Sequence, residues 1–363
     1  TATLLPTSGV YVNTTKSDYG SGNYLPAVEA FLTALYSIIF ISAFALNGMV
    51  CYLFAKGKVK ASSFNMLLLV LSISDMISIV LITPYVYLDL RKLSSASQQT
   101  LNYLCGITIG VTFYWISTFV SVLILCYISV NRFSSISHPT RALWLRRKRT
   151  ICICWLFFWV ISSCAGLPNL FAFRYDRVTG ICYRDWPKGF NVTAFTFSTT
   201  FIGMVFPISL MMYTFLATVR TLWGQSSLDG TDSAVLKSRK RVVSILGILM
   251  LAYFLCSLPI AVYWIMSRAT NYFPEGPKGE YLRVKVIRVV VLSAVSNTIL
   301  DPIIYALRSN EFKQAFKQLF FHRRGELSSL DIAMNTSTTV IINRNTMSRI
   351  KINSTLSKFS TCE

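Results

Sequence analysis

Seven long apolar runs, separated by short polar or basic stretches, constrain this chain more than any other feature. A helix needs about 20 apolar residues to cross the hydrocarbon layer of a bilayer. Ala30 to Ala55 supplies the first run without a charge, and Phe64 to Leu88 the second, interrupted only by Asp75. The third lies roughly at Tyr103 to Val130, the fourth at Ile151 to Leu170, the fifth at Val192 to Val219 and the sixth at Val242 to Met266. Val286 to Leu307 is the seventh, interrupted by Arg288 and Asp301. The expected fold is an all-α membrane protein, a seven-transmembrane helix bundle over residues 29–307. Composition agrees: 14% of residues are charged, where soluble domains carry about a quarter.

The charge, +20 overall, sits in short stretches between the runs. That pattern fits an anionic membrane face and not nucleic acid, whose partners cluster Lys and Arg on soluble modules. Lys56, Lys58 and Lys60 follow the first run, Arg141, Arg146, Arg147, Lys148 and Arg149 the third, and Lys237, Arg239, Lys240 and Arg241 precede the sixth. By the positive-inside rule these segments are cytoplasmic. The mixed loops around Asp89, Arg91 and Lys92, and from Arg174 to Lys188, then lie outside with the N-terminus. An odd number of crossings leaves the C-terminus inside. Asn13 and Asn191 head glycosylation sequons on the outer side; Asn335 and Asn353 head others inside, where they are expected to stay bare.

Residues 1–28 read as a polar extracellular tail, and the first run is too long for a cleavable signal peptide. Residues 308–321 read as a short helix on the membrane surface, because Phe312, Phe316, Leu319 and Phe320 share one face. Residues 322–363, rich in Ser, Thr and Asn, read as a disordered cytoplasmic tail. Nine cysteines occur without a CxxC pair, which argues against a zinc site.

Ionisable groups inside a bilayer are costly and mark function. Asp75 and Asp301 lie within runs two and seven, and Asn47 adds a polar group in run one. The pair reads as a cation or proton site, a polar hinge, or a tolerated pair facing a wet interior. Pro84, Pro168, Pro207, Pro259 and Pro302 fall within or near the ends of five runs, and each offers a kink if it lies inside a helix.

Read in order, several motifs resemble those of the rhodopsin-like (class A) G-protein-coupled receptors. They are Asn47-Gly48, Leu71 to Asp75, Asn131-Arg132-Phe133, Trp159, Pro207, Cys256-x-x-Pro259 and Asp301-Pro302-x-x-Tyr305, falling in successive runs across about residues 29–321. The resemblance implies a plasma-membrane receptor that binds an extracellular ligand and activates heterotrimeric G proteins. It implies a disulfide between Cys105 and Cys182. It implies a sodium ion among the oxygens of Asp75, Ser121, Asn297 and Asp301, with Asn47 in the same polar core, and no other cofactor. Pro259 and Pro302 would be hinges, with Tyr305 swinging inward on activation. Arg132, flanked by Asn131 and Phe133, would meet the G-protein α subunit. Thr336 to Thr339 would be a target of receptor kinases and arrestin.

The chain also departs from the family pattern. Asn131 replaces the usual acid beside Arg132, which predicts weaker restraint of the inactive state and raised basal signalling. Ser257 stands where the family carries its switch tryptophan, leaving Tyr253 or Phe254 to supply bulk. Cys105 lies 27 residues before Arg132, about two more than usual, so span three is expected to start with an irregular turn.

Tyr114 takes the position of the acid that binds monoamines, and Val295 that of a retinal lysine, so neither ligand is expected. Tyr87, Tyr114, Ser117, Tyr263, Trp264 and Arg288 are the candidate pocket residues. A net basic outer side, from Arg174 to Arg288, favours an acidic or polar ligand, small or peptidic. The stretch from Asp301 to Ser309 is similar to the melanocortin and adenosine receptor branch. A transporter would show internal repeats, and none is evident. A ligand-silent receptor-like protein stays open. An intramembrane protease needs His pairs in a span, but His138 and His322 lie elsewhere, and Pro302 stands where an aspartyl protease carries glycine.

Overall fold

The structure, a computed structural model, describes residues 24–318 apart from 94, 138–139, 141–142, 179–180, 229–232 and 270–276. Asn13, His138, Leu319, Phe320 and the tail 322–363 lie outside the described residues.

Among the described residues, seven helical segments are long and apolar enough to cross a membrane. Span one is Tyr24–Ala55, span two Ser63–Tyr87, and span three the pair Gln98–Thr108 and Thr112–Ser137. Span four is Lys148–Gly166, followed by a 3-10 turn Leu167–Ala172 that contains Pro168. Span five runs as helix Val192–Thr200, a π-helical turn Phe201–Val205 and helix Phe206–Leu228. Span six is Ser233–Ala269 and span seven Pro277–Arg308, with Pro259 and Pro302 inside them. The helices outrun their apolar cores: span one begins at Tyr24, within the stretch expected as tail, and span six extends past both ends of Val242 to Met266. Helical hydrogen bonding persists where the hydrocarbon stops, because straight-chain polar residues are good helix formers.

Span three is the central strut. Of its most apolar stretch 67% is buried inside the protein, against 17% for span four, so span four faces outward. Polar bonds stitch the centre. Asn47 donates to the carbonyl of Thr298 at 2.8 Å, tying span one to span seven. Ser78 donates to Ser117 at 2.7 Å and Ser117 to the Ser74 carbonyl at 3.2 Å, tying span two to span three. Trp155, and not Trp159, reaches across from span four, donating to the Ser74 hydroxyl at 3.0 Å.

Two irregularities shape the middle of the bundle. Span three breaks between Thr108 and Thr112, with Val111 at φ 49°, and the two surplus residues ahead of Arg132 are absorbed there. Thr112 bridges the break by donating to the Gly106 carbonyl at 2.9 Å. In span five, Pro207 has no N–H to give the carbonyl four residues earlier. That carbonyl, on Gly203, accepts instead from the Tyr253 hydroxyl of span six at 2.7 Å. A side chain at 203 would collide with Phe119, so glycine lets spans three and five approach at this turn.

Beyond span four, β1 (Phe173–Asp176) and β2 (Ile181–Arg184) form an antiparallel hairpin with Tyr175 opposite Cys182. Phe173 and Tyr175 point into a small core with Leu90, Leu101 and Ala172. After span seven a helix covers residues 310–318. Phe312 is not lipid-facing, as its amphipathic spacing suggested. It is fully buried, 6.2 Å ring to ring from both Phe54 and Tyr305, and Asn65 donates to Glu311 at 2.6 Å. Aromatic packing against the base of spans one and seven buries more of the ring than a bilayer surface can.

Candidate ligand cavity and signalling core

A cavity of about 150 Å³ enters the bundle between spans three, five, six and seven, with Asn169 and Trp186 on either side of the hairpin in its wall. Of the six candidate residues, Tyr114 and Trp264 line it. The other four do not. Tyr87 is half exposed on the outer face of the bundle, its hydroxyl 2.7 Å from that of Ser37. Ser117 is turned toward span two. Tyr263 belongs to an apolar cluster with Tyr36, Phe40 and Ile82. Arg288 forms an ion pair with Glu29 of span one, and its carbonyl accepts from Tyr36 at 2.8 Å.

The cavity wall also contains Trp186, Phe195, Thr196, Thr199 and Asn169, which the sequence reading missed. They come from the loop after the hairpin, the first turns of span five and the turn after span four, where a fixed helical count does not reach. Among the described residues Asp75 is the only charged one in the lining. Arg174 lies 3.9 Å from Asp185, and Arg177 donates to Gln98 at 2.9 Å and to the carbonyl of Ala96.

The hairpin is held over this opening. Cys105 and Cys182 form the disulfide. Asn102 accepts from the Tyr175 amide at 2.8 Å, and Gln98 donates to the Tyr175 carbonyl at 2.6 Å. Asn191, exposed at the start of span five, accepts from the Ala194 amide at 2.9 Å and so caps that helix.

Deeper in the bundle the polar residues converge. Ser121 donates to Asp75 Oδ1 at 2.9 Å, and Asn297 stands 3.5 Å from Asp301 Oδ2. Asp75 Oδ2, Asn297 Oδ1, Asp301 Oδ1 and Asn47 Oδ1 are buried without a hydrogen-bond partner, as is the hydroxyl of Tyr305. A hard cation takes such oxygen ligands, and the chemistry of this donor set fits one.

At the far end of span three, Arg132 meets no carboxylate among the described residues. Its guanidinium carbon lies 4.0 Å from the centre of the Phe64 ring, and its Nε has no hydrogen-bond partner. Asn131 donates to the Leu145 carbonyl at 3.1 Å, the same atom that accepts from Tyr127 at 2.8 Å. Phe133 points toward Tyr213 of span five, ring centres 6.4 Å apart.

Seven helices long and apolar enough to cross a membrane, a cavity between them, a disulfide-pinned hairpin after span four and a half-buried arginine at the far end of span three define a seven-helix receptor. Residues 46–305 match the model of the 7 transmembrane receptor (rhodopsin family), and the chain belongs to that family. It is 23% identical to a QRFP-like peptide receptor of Branchiostoma floridae, over 86% of this chain and 83% of that one. It is 25% identical to galanin receptor type 1 of Mus musculus, over 81% and 82%, and 25% identical to somatostatin receptor type 5 of Rattus norvegicus, over 84% and 82%. The protein is thus a G-protein-coupled receptor of a non-enzymatic class, a multi-pass membrane protein that takes an extracellular ligand and acts on heterotrimeric G proteins.

Proposed function

We propose that this receptor binds a peptide at the hairpin end and passes the signal through the polar core to Arg132. The observation that carries this reading is the cavity: aromatic, with Asp75 as its one charged residue among those described, and walled by Trp186 just past the covalently pinned hairpin. Its size, about 150 Å³, is of the order of an engineered cavity that takes up one benzene ring. That suits one or two side chains of a larger ligand whose remainder lies on the hairpin. The relatives are named as receptors for peptides, galanin and somatostatin, which supports a peptide ligand.

In this reading the hairpin and the N-terminus are extracellular, and the basic segments beside spans one, three and six are cytoplasmic at the plasma membrane. Asn13 and Asn191 carry glycans. A sodium ion at Asp75, Ser121, Asn297 and Asp301 stabilises the inactive arrangement, and Pro259 and Pro302 are the hinges about which Tyr305 moves. Receptor kinases and arrestin act on the Ser/Thr-rich tail. The test is G-protein activation in transfected cells, across all α-subunit classes, with pooled peptides beside pooled amines, nucleosides and lipids. A peptide response lost in Arg132→Ala is the expected result. A response confined to a non-peptide pool would overturn the ligand class.

A further inference from the structure

The walls of the cavity differ in what they offer a ligand. Spans six and seven give it small side chains: Ser257 and Ala261, one turn apart on the same face, and Ala294. Span three gives it the rings of Trp115 and Phe119, and span six that of Trp264, all three partly exposed. Small residues beside rings leave a space of about 150 Å³, of the order of a cavity that takes up one benzene molecule. The threonines of this space share one property. Thr118 of span three donates its hydroxyl proton to the Tyr114 carbonyl at 3.0 Å. On span five Thr196 donates to the Val192 carbonyl at 2.8 Å, Thr199 to that of Phe195 at 2.9 Å and Thr200 to that of Thr196 at 2.8 Å. All four threonines line the cavity and are partly exposed. A hydroxyl has one proton and two lone pairs. Each of the four can therefore still accept a hydrogen bond, and none has a proton to spare.

We infer that this cavity takes the phenol ring of a tyrosine carried by the peptide ligand. One six-membered ring matches the space, and its hydroxyl supplies the proton that the threonine oxygens can accept. A phenylalanine brings no donor, and a carboxylate brings an acceptor to acceptors. An indole also donates, but its two fused rings exceed a space of benzene's order. Asn169, partly exposed on the turn after span four, lines the same cavity. Its carboxamide both gives and accepts hydrogen bonds, which suits the backbone amide of the tyrosine and separates a peptide residue from a free phenol. Ser257 decides access, because a large side chain there occupies the space the ring needs. The inference rests on the receptor reading above and names the side chain that fills its cavity.

The test uses the purified full chain in lipid nanodiscs, with thermal unfolding as the readout. The probes are the N-acetyl amides of tyrosine, phenylalanine and O-methyltyrosine, and p-cresol. O-Methyltyrosine keeps the phenol oxygen and removes its proton; p-cresol keeps the phenol and removes the amides. The tyrosine amide should raise the unfolding temperature at a concentration about threefold to tenfold lower than any of the other three, the worth of one neutral hydrogen bond. Thr118→Val, Thr196→Val, Thr199→Val and Thr200→Val, combined in one chain, keep the side-chain shape and should bring the tyrosine amide to the level of the phenylalanine amide. Ser257→Phe should abolish the tyrosine response, and Ser257→Ala should keep it. Equal responses to the tyrosine amide and any other probe, no response up to about 10 mM, or a tyrosine preference that survives the valine substitutions or Ser257→Phe would overturn the inference. If neither variant folds, the ranking of the four probes on the native chain decides alone. No G protein takes part: a chain that fails here yet stimulates nucleotide exchange loses this subsite and keeps the receptor reading.

Discussion

At the hairpin end the chain is held by a disulfide, by Gln98 and Asn102 on the backbone of Tyr175, and by a buried apolar cluster around Phe173. At the arginine end Arg132 rests on one aromatic face, that of Phe64, while Asn131 bonds to the neighbouring loop at Leu145. A covalent bond with its supporting contacts is worth about 2–5 kcal/mol. A cation over an aromatic ring is worth about 0.5–2 kcal/mol. One end is built to present a fixed mouth to a ligand, and the other is held weakly enough for a modest change in binding energy to release it.

The hairpin end should give the largest effect. Cys182→Ser removes the covalent tie, and we expect a stability loss of about 2–5 kcal/mol, read as a fall in surface expression and loss of the peptide response. Normal expression with an intact response would show that the apolar cluster alone fixes the mouth. Phe64→Leu tests the other end. Losing about 0.5–2 kcal/mol of restraint should raise ligand-free nucleotide exchange by about two- to thirtyfold, and Phe64→Tyr should not. Unchanged exchange in Phe64→Leu would place the restraint elsewhere.

Between the ends, Tyr253→Phe deletes the donor to the Gly203 carbonyl. It should lower the unfolding temperature by the equivalent of about 1 kcal/mol and shift the dose–response curve of the peptide. Trp155→Phe deletes a bond from span four to span two. It should cost least, about 0.6 kcal/mol, a small change in unfolding temperature with signalling unaltered. A larger effect on signalling than Tyr253→Phe would reverse the ranking and make span four part of the transmission path.

The spans and the Cys105–Cys182 pairing were legible because apolar length and family motifs are local in sequence. The break near Val111 was legible as two surplus residues ahead of Arg132. The cavity was less so. Counting along a helix places Tyr87, Tyr263 and Arg288 at the right depth but does not give the side they face, which packing decides: Tyr87 turns out toward Ser37, Arg288 toward Glu29. Trp186 sits on a loop without a period to count. Phe64 and Arg132 meet across two helices, and nothing local in either segment announces the contact. An uncharged amide at 131 cannot form an ion pair with Arg132, but its bond to Leu145 depends on how the following loop folds back.

The central claim, an arginine end held without an ion pair, is tested most directly by ligand-free nucleotide exchange on purified G protein, comparing the native chain with Asn131→Asp in nanodiscs. The native chain should stimulate exchange above empty nanodiscs, and the restored acid should lower it by about threefold, the worth of a partly exposed ion pair. A silent native chain, or exchange unchanged by Asn131→Asp, would contradict it.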